Sequence, residues 1–221
     1  MPVTNSEAAA AMAAATRAQS VAAIVLAQDA PRGASQAVAA LSVKAANFAD
    51  DPADFVAALL SAWRSVALHG DADLLRPLLS FEVDARLGDP AGDRMRASDI
   101  VCLTAAMAVA SARGTYAAEQ DASTARAELA RIATPAIEAA GMLGVDALEW
   151  LSRLTGQAAL ELSRIAANRA PLVMVETGVS LSAIRAAHDL YGDANRAGEI
   201  VARNRAAAAA FLPVVFEALS R

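Results

Sequence analysis

Leu190-Tyr191-Gly192-Asp193-Ala194-Asn195-Arg196-Ala197-Gly198-Glu199-Ile200-Val201-Ala202-Arg203-Asn204-Arg205 is the stretch that decides this chain's architecture. Just before it, Leu181, Ile184, Ala187, His188 and Tyr191 recur at helical spacing. Gly192 then stands where a left-handed residue ends a helix. Asp193 suits the N-cap of the next helix, its carboxylate accepting free backbone N–H groups. Ala197, Ile200 and Val201 line one side of that second helix. Arg196, Glu199 and Arg203 line another, spaced for local ion pairs. The stretch therefore reads as a tight helix–turn–helix elbow. Such an elbow is by itself weak evidence for DNA binding, because many are purely structural.

Composition extends the helical reading outward. Of 221 residues, 56% are hydrophobic but only 4% aromatic, and alanine supplies much of the rest. Alanine has the highest helix propensity, and its small side chain lets helices approach closely. The expected product is all-α: a compact alanine-rich bundle ending in the elbow, with residues 1–50 as an N-terminal helical arm or hairpin and 51–221 as the bundle domain. A first helix is expected over Ser6 to Gln28 and a second from Pro31-Arg32-Gly33 to about Phe48. Asp51 caps a third, with Pro52 in its first turn. Val56, Leu59, Leu60, Trp63 and Val66 form its core stripe, and it stops near His69-Gly70. Leu74, Leu75, Leu78 and Leu79 suggest a short helix interrupted at Pro77. Gly88-Asp89-Pro90-Ala91-Gly92 is a turn. A long helix runs from a cap at Asp93 to Arg113. The next is capped by Thr115, contains Tyr116, and is broken or kinked at Pro135. Gly141 and Gly144 mark a turn, and a helix from Val145 to about Asn168 carries Leu148, Leu151, Ala158, Leu162 and Ile165. That stripe serves either the bundle's own core or a partner-helix seam. Leu172-Val173-Met174-Val175 is the best strand signal and Phe81-Glu82-Val83-Asp84 a poorer one.

Few side chains suggest chemistry. The net charge is −5, which disfavours a general phosphate-binding surface. Cys102 is the single cysteine, in an apolar run, and reads as core filling. His69 with Asp71 and Asp73, and His188 with Asp189 and Asp193, read as solvated turns, so no metal and no cofactor is expected. Nucleophile-elbow, phosphate-loop and zinc motifs are missing. The chain is therefore not expected to be an enzyme. Val21–Ala27 follows Arg17 and imitates the apolar part of a signal peptide, but Glu7 precedes it, no basic residue lies near Met1 and the run is short; no segment is expected to span a membrane. The C-terminal Phe211-Leu212-Pro213-Val214-Val215-Phe216 is an apolar tail that should dock on the domain or a neighbour. Phe211, Leu212, Pro213 and Phe216 are its interface candidates.

The elbow resembles the closing motif of the DNA circularisation or tail proteins of Mu-like tailed phages. Leu190, Tyr191, Gly192, Asp193, Arg196, Glu199, Ile200, Arg203, Asn204 and Arg205 carry the resemblance. From about residue 55 onward the likeness is one of general character, in alanine-rich helices with interspersed Arg followed by a Val-rich connector. Phe211-Leu212-Pro213 corresponds to the family's Phe-Leu-Pro, but Ala206 to Ala210 replace its Ile-Arg-His-Pro-like segment. The family's β-containing N-terminal module has no counterpart in residues 1–50, so a fragment or a shortened relative is expected. The resemblance implies a virion protein of the tail or baseplate region. It would be made in the host cytoplasm, contact other tail or baseplate proteins, and self-associate. A role in holding genome ends after injection, with weak contact to double-stranded DNA, is the alternative. A bacterial helical scaffold unrelated to phage is a third reading.

Overall fold

The computed structural model describes residues 3–27, 30–88 and 94–220. Helix dominates, and the sheet among these residues has two strands. The chain divides into two compact units: residues 1–115 with 124–163, and residues 116–123 with 164–221. This replaces the expected break at residue 50.

In the first unit, Thr4 and Glu7 form a reciprocal capping box that starts α1 (Asn5–Val25). Its buried stripe is almost all alanine: Ala11, Ala14, Ala15, Ala18 and Ala22 with Val21 and Val25. Those small side chains let α1 lie against α4 and α6, which is why residues 1–50 join this unit. The helix expected over 31–48 is two short ones, α2 (Arg32–Ala39) and α3 (Leu41–Ala46), meeting at Ala40. Asp51 caps α4 (Pro52–His69) as expected, its carboxylate accepting the Asp54 N–H at 3.0 Å. Leu59, Trp63 and Val66 are fully buried.

Gly70 ends α4 with no room to spare. A Cβ there would lie 2.7 Å from the Val66 carbonyl oxygen and 2.9 Å from Val25. Asp71 then caps α5 (Ala72–Leu87) through the N–H groups of Asp73 and Leu74. The helix continues through Pro77, contrary to the expected interruption. Leu75, Leu79 and Val83, all fully buried, offset the lost backbone bond. Phe81–Asp84 belongs to this helix rather than to a strand. The expected cap at Asp93 and most of the turn at 88–92 lie outside the described residues, as does Gln28.

Helix α6 (Arg94–Arg113) is the centre of the unit, with α4 and α5 along it. Ile100, Val101 and Ala105 meet Ala136, Ala140 and Leu151 of the next two helices. Those are α7 (Glu119–Gly141) and α8 (Val145–Ala167). Helix α7 starts later than expected: Tyr116 precedes it, buried, and Asp121 receives the Ala118 N–H at 3.0 Å. It runs unbroken through Pro135. Gly144, at φ +128°, makes the turn into α8. In α8 the buried positions are Leu151, Thr155, Ala158, Leu162 and Ala166, so the apolar stripe serves the chain's own core.

By length and composition alone α1 and α6 each reach what a membrane crossing requires, a test that buried core helices and signal sequences also pass. The apolar window of α6 is 83% buried within its own unit, and core packing accounts for its character. That of α1 is 39% buried.

The second unit runs strand, helix, helix, strand. Strand β1 (Leu172–Glu176) pairs antiparallel with β2 (Val215–Leu219), Met174 opposite Glu217 and Val175 opposite Phe216. Between them lie α9 (Ala183–Tyr191), a single 3-10 turn at Ala194–Arg196, and α10 (Ala197–Arg203). The strand signal at 172–175 is confirmed. Its partner comes from the C-terminal tail, which carries no alternating pattern to announce it.

Candidate functional site

The elbow forms as the sequence implies. Ser182 caps α9, and Gly192 ends it in the left-handed region at φ +71°. Asp193 caps the following 3-10 turn by accepting the Asn195 N–H at 2.9 Å. Ala183, Ala186, Ala187 and Ile200 are buried together, with Leu190, Tyr191, Ala197 and Val201 packed around them. Ile184 and His188 belong to the solvent side instead.

Most of the motif's conspicuous polar residues have an internal task. Arg196 bonds Glu199 at 2.9 and 3.0 Å, and its guanidinium lies 3.8 Å from the centre of the Tyr191 ring. Arg203 does not join that pair. It makes a two-pronged contact with Asp121, 2.9 Å at the shorter prong. The Arg203 guanidinium holds the Asp121 carboxyl below the usual carboxylate range, outweighing partial burial. Tyr191 accepts the Leu219 N–H at 3.0 Å through its hydroxyl oxygen.

Asn204 imitates a strand residue. Its side-chain oxygen accepts the Glu217 N–H and its amide donates to the Glu217 carbonyl, both at 2.8 Å. Arg205 follows at φ +48°, the one left-handed non-glycine among the described residues. The Ala206 N–H bonds the Val201 carbonyl and the Arg205 N–H that of Ala202. These are the two bonds of a Schellman ending, with arginine where glycine is usual.

The tail is divided between core and surface. Leu212 and Phe216 are each 1% exposed and complete the core formed by α9 and α10. Phe211 is 73% exposed, and Pro213, Val214 and Val215 are also exposed. Burial thus removes Leu212 and Phe216 from the surface, while Phe211 and Pro213 remain on it.

Elsewhere, charge is buried beside α6. Asp99 is 2% exposed and hydrogen-bonded to Arg17, which also faces Glu82 at 3.7 Å. Burial pushes the Asp99 carboxyl above its ordinary range despite Arg17. Cys102 lies on an apolar cavity of about 530 Å³, lined also by Leu60, Arg64, Leu68 and Trp150. Burial raises its thiol far above the usual value, so it stays protonated and a poor nucleophile. Asp71 and Asp73 beside His69 serve a helix cap and an ion pair with Arg76. Among the described residues no three metal-capable side chains gather.

Sequence reasoning missed two functional parts of the elbow. Asp121 lies 82 residues from Arg203 and carries no local signal of that partnership. Asn204 could have been noticed as an amide directly after a helix, but its target strand was not recognisable. No protein-family model matches the chain, and a search of curated proteins likewise finds no match.

Proposed function

We propose that this chain is a non-catalytic structural protein of a phage tail or baseplate, working through protein–protein contacts. The assignment to tail or baseplate rests on the resemblance of Leu190–Arg205 alone. What supports contact rather than DNA binding is the fate of two of the elbow's three arginines. Arg196 is engaged by Glu199 and Tyr191, and Arg203 by Asp121. Arg185 lies 3.5 Å from Asp189. Phosphate binding needs uncompensated basic residues, and the net charge is −5. Exposed large apolar side chains occur in both units; Val173, Met174, Val179, Ile184, Phe211, Val214 and Val215 of the second unit are seven of the seventeen among the described residues, on less than a third of the chain. An apolar patch with a polar rim is what a protein contact requires.

The test pairs two titrations of the full chain at near-physiological salt. In one, linear duplex DNA is the ligand. In the other, the ligands are the products of the genes beside its own. Binding to a tail or baseplate product, with no submicromolar DNA affinity, is expected. Submicromolar, end-dependent DNA binding that weakens steeply with salt would replace this reading with the genome-end alternative.

A further inference from the structure

Between α4 and α8 of the first unit runs a groove floored by α6. The floor is made of small side chains, Cys102, Ala105 and Ala106, each 5% exposed or less. Leu68 of α4 and Trp150 of α8 stand on the walls and remain 42% and 36% exposed. The space they enclose is the apolar cavity of about 530 Å³. The Cys102 thiol stays protonated, so the floor carries no charge. Large apolar side chains left wet around a concave space mark a binding site, and ligand sites between helices measure about 300–1,000 Å³.

The wall formed by α4 supplies the polar groups. Ser61 and Arg64, three residues apart, share the helix face that lines the cavity. Arg64 is exposed and is the one charged side chain among the described lining residues. Among the described residues it has no hydrogen bond or ion pair. In this it differs from Arg196 and Arg203, whose charges are met by Glu199 and Asp121.

We propose that this cavity binds a single-chain aliphatic carboxylate, its alkyl chain over Cys102, Ala105 and Ala106 and its head group at the mouth on Arg64 and Ser61. The proposal does not depend on the reading of the chain as a tail protein. Charge sets the head group. One guanidinium and one neutral hydroxyl match a monoanion, and the planar fork of arginine suits the two oxygens of a carboxylate. A phosphate monoester would bring a charge of about −1.5 to −2 to a site with one cation. Shape sets the rest of the molecule. The lining residues of α4 run from Ala57 to Leu68, about 16 Å of helix at its usual rise. Spread over that length, the cavity has a mean section of about 30 Å². A helix with its side chains, 10–12 Å across, needs about 80–110 Å². An extended alkyl chain fits this slot, and a partner helix does not.

Isothermal titration of the full chain with dodecanoate, kept below the concentration at which it forms micelles, tests the proposal. One molecule should bind per chain. Trp150 emission should shift to the blue as the alkyl chain covers the indole, over a constant background from the fully buried Trp63. Dodecyltrimethylammonium, with the opposite head group, should bind roughly tenfold more weakly or worse. Arg64→Gln should weaken dodecanoate roughly tenfold and leave the binding of dodecanol unchanged. Ala57→Phe should close the slot and weaken both ligands. Ala57 and Arg64 are exposed, so both variants should melt like the parent. A chain that shows no saturable dodecanoate binding overturns the proposal. So does binding that ignores Arg64→Gln, or that the cationic amphiphile equals. A parent that ignores dodecanoate but loses a neighbouring tail product through Ala57→Phe assigns the groove to a protein partner. That result overturns the proposal while leaving the proposed function standing.

Discussion

At the scale of single residues, two left-handed positions bracket the elbow, and they differ in how well the sequence suits them. Gly192 adopts φ +71° without steric cost, whereas Arg205 holds φ +48° with a Cβ in place. Gly192→Val should therefore cost about 1–2 kcal/mol, because a β-branched residue resists that backbone. Open space around a Cβ at Gly192 means the penalty is conformational and not a clash. Thermal denaturation with the parent as reference measures it, and an unchanged midpoint would place Gly192 outside a left-handed cap. Arg205→Gly should move the other way, gaining roughly 0.5–1 kcal/mol as strain is relieved against the added freedom of the unfolded chain. A loss on that substitution would mean that the Arg205 side chain contributes more than its backbone costs.

At the scale of elements, the elbow works as a brace for β2. The distinctive polar residues of Leu190–Arg205 hold the sheet and the start of α7 to the two short helices. Helices α9 and α10 have only 9 and 7 residues. Isolated helices of that length are marginal, so these depend on what they pack against. Asn204→Ala deletes two bonds to Glu217 and one to Ile200. Because water can reach Glu217, the expected loss is about 1–2 kcal/mol, not the full penalty of buried unpaired groups. Faster amide exchange at Glu217, with exchange in α4 and α6 unchanged, would locate the effect. The Asp121–Arg203 pair adds a pH dependence. The folded carboxyl has the lower pKa, so the pair's contribution is complete above the ordinary carboxylate range and fades as pH falls through the folded value. In Asp121→Asn the second unit should be less stable at neutral pH and should lose this part of its acid sensitivity. Fluorescence from Trp63 and Trp150, both in the first unit, would not report that change. Amide exchange in α9 and α10 would.

At the scale of the whole molecule, legibility in the sequence follows the range of the interactions. Caps and glycine turns are local, so Asp51, Gly144, Gly192 and Asp193 stand where the sequence places them. Pro77 and Pro135 mislead because tertiary burial outweighs a local helix-breaking tendency. Pairings across the chain, such as Asp121 with Arg203 or β1 with β2, leave no local trace. The tail shows the difference best. Read as sequence, Phe211–Phe216 is an exposed apolar end that could be removed with helicity largely intact. In the structure, removing residues 211–221 takes Leu212, Phe216 and Ala218 out of a core whose other buried members are Ala183, Ala186, Ala187 and Ile200. What remains is mostly alanine and cannot hold two short helices. Losing a buried Leu and a buried Phe alone costs about 5–10 kcal/mol by the usual large-to-small scale, comparable to the whole stability of a small domain. The shortened chain should therefore lose amide protection throughout α9 and α10 while α1 to α6 stay protected. The loss of helical circular dichroism should be confined to what those two short helices contribute. Retained protection in α9 and α10 would mean that the elbow stands without β2, and that the tail is the removable contact surface the sequence alone suggests.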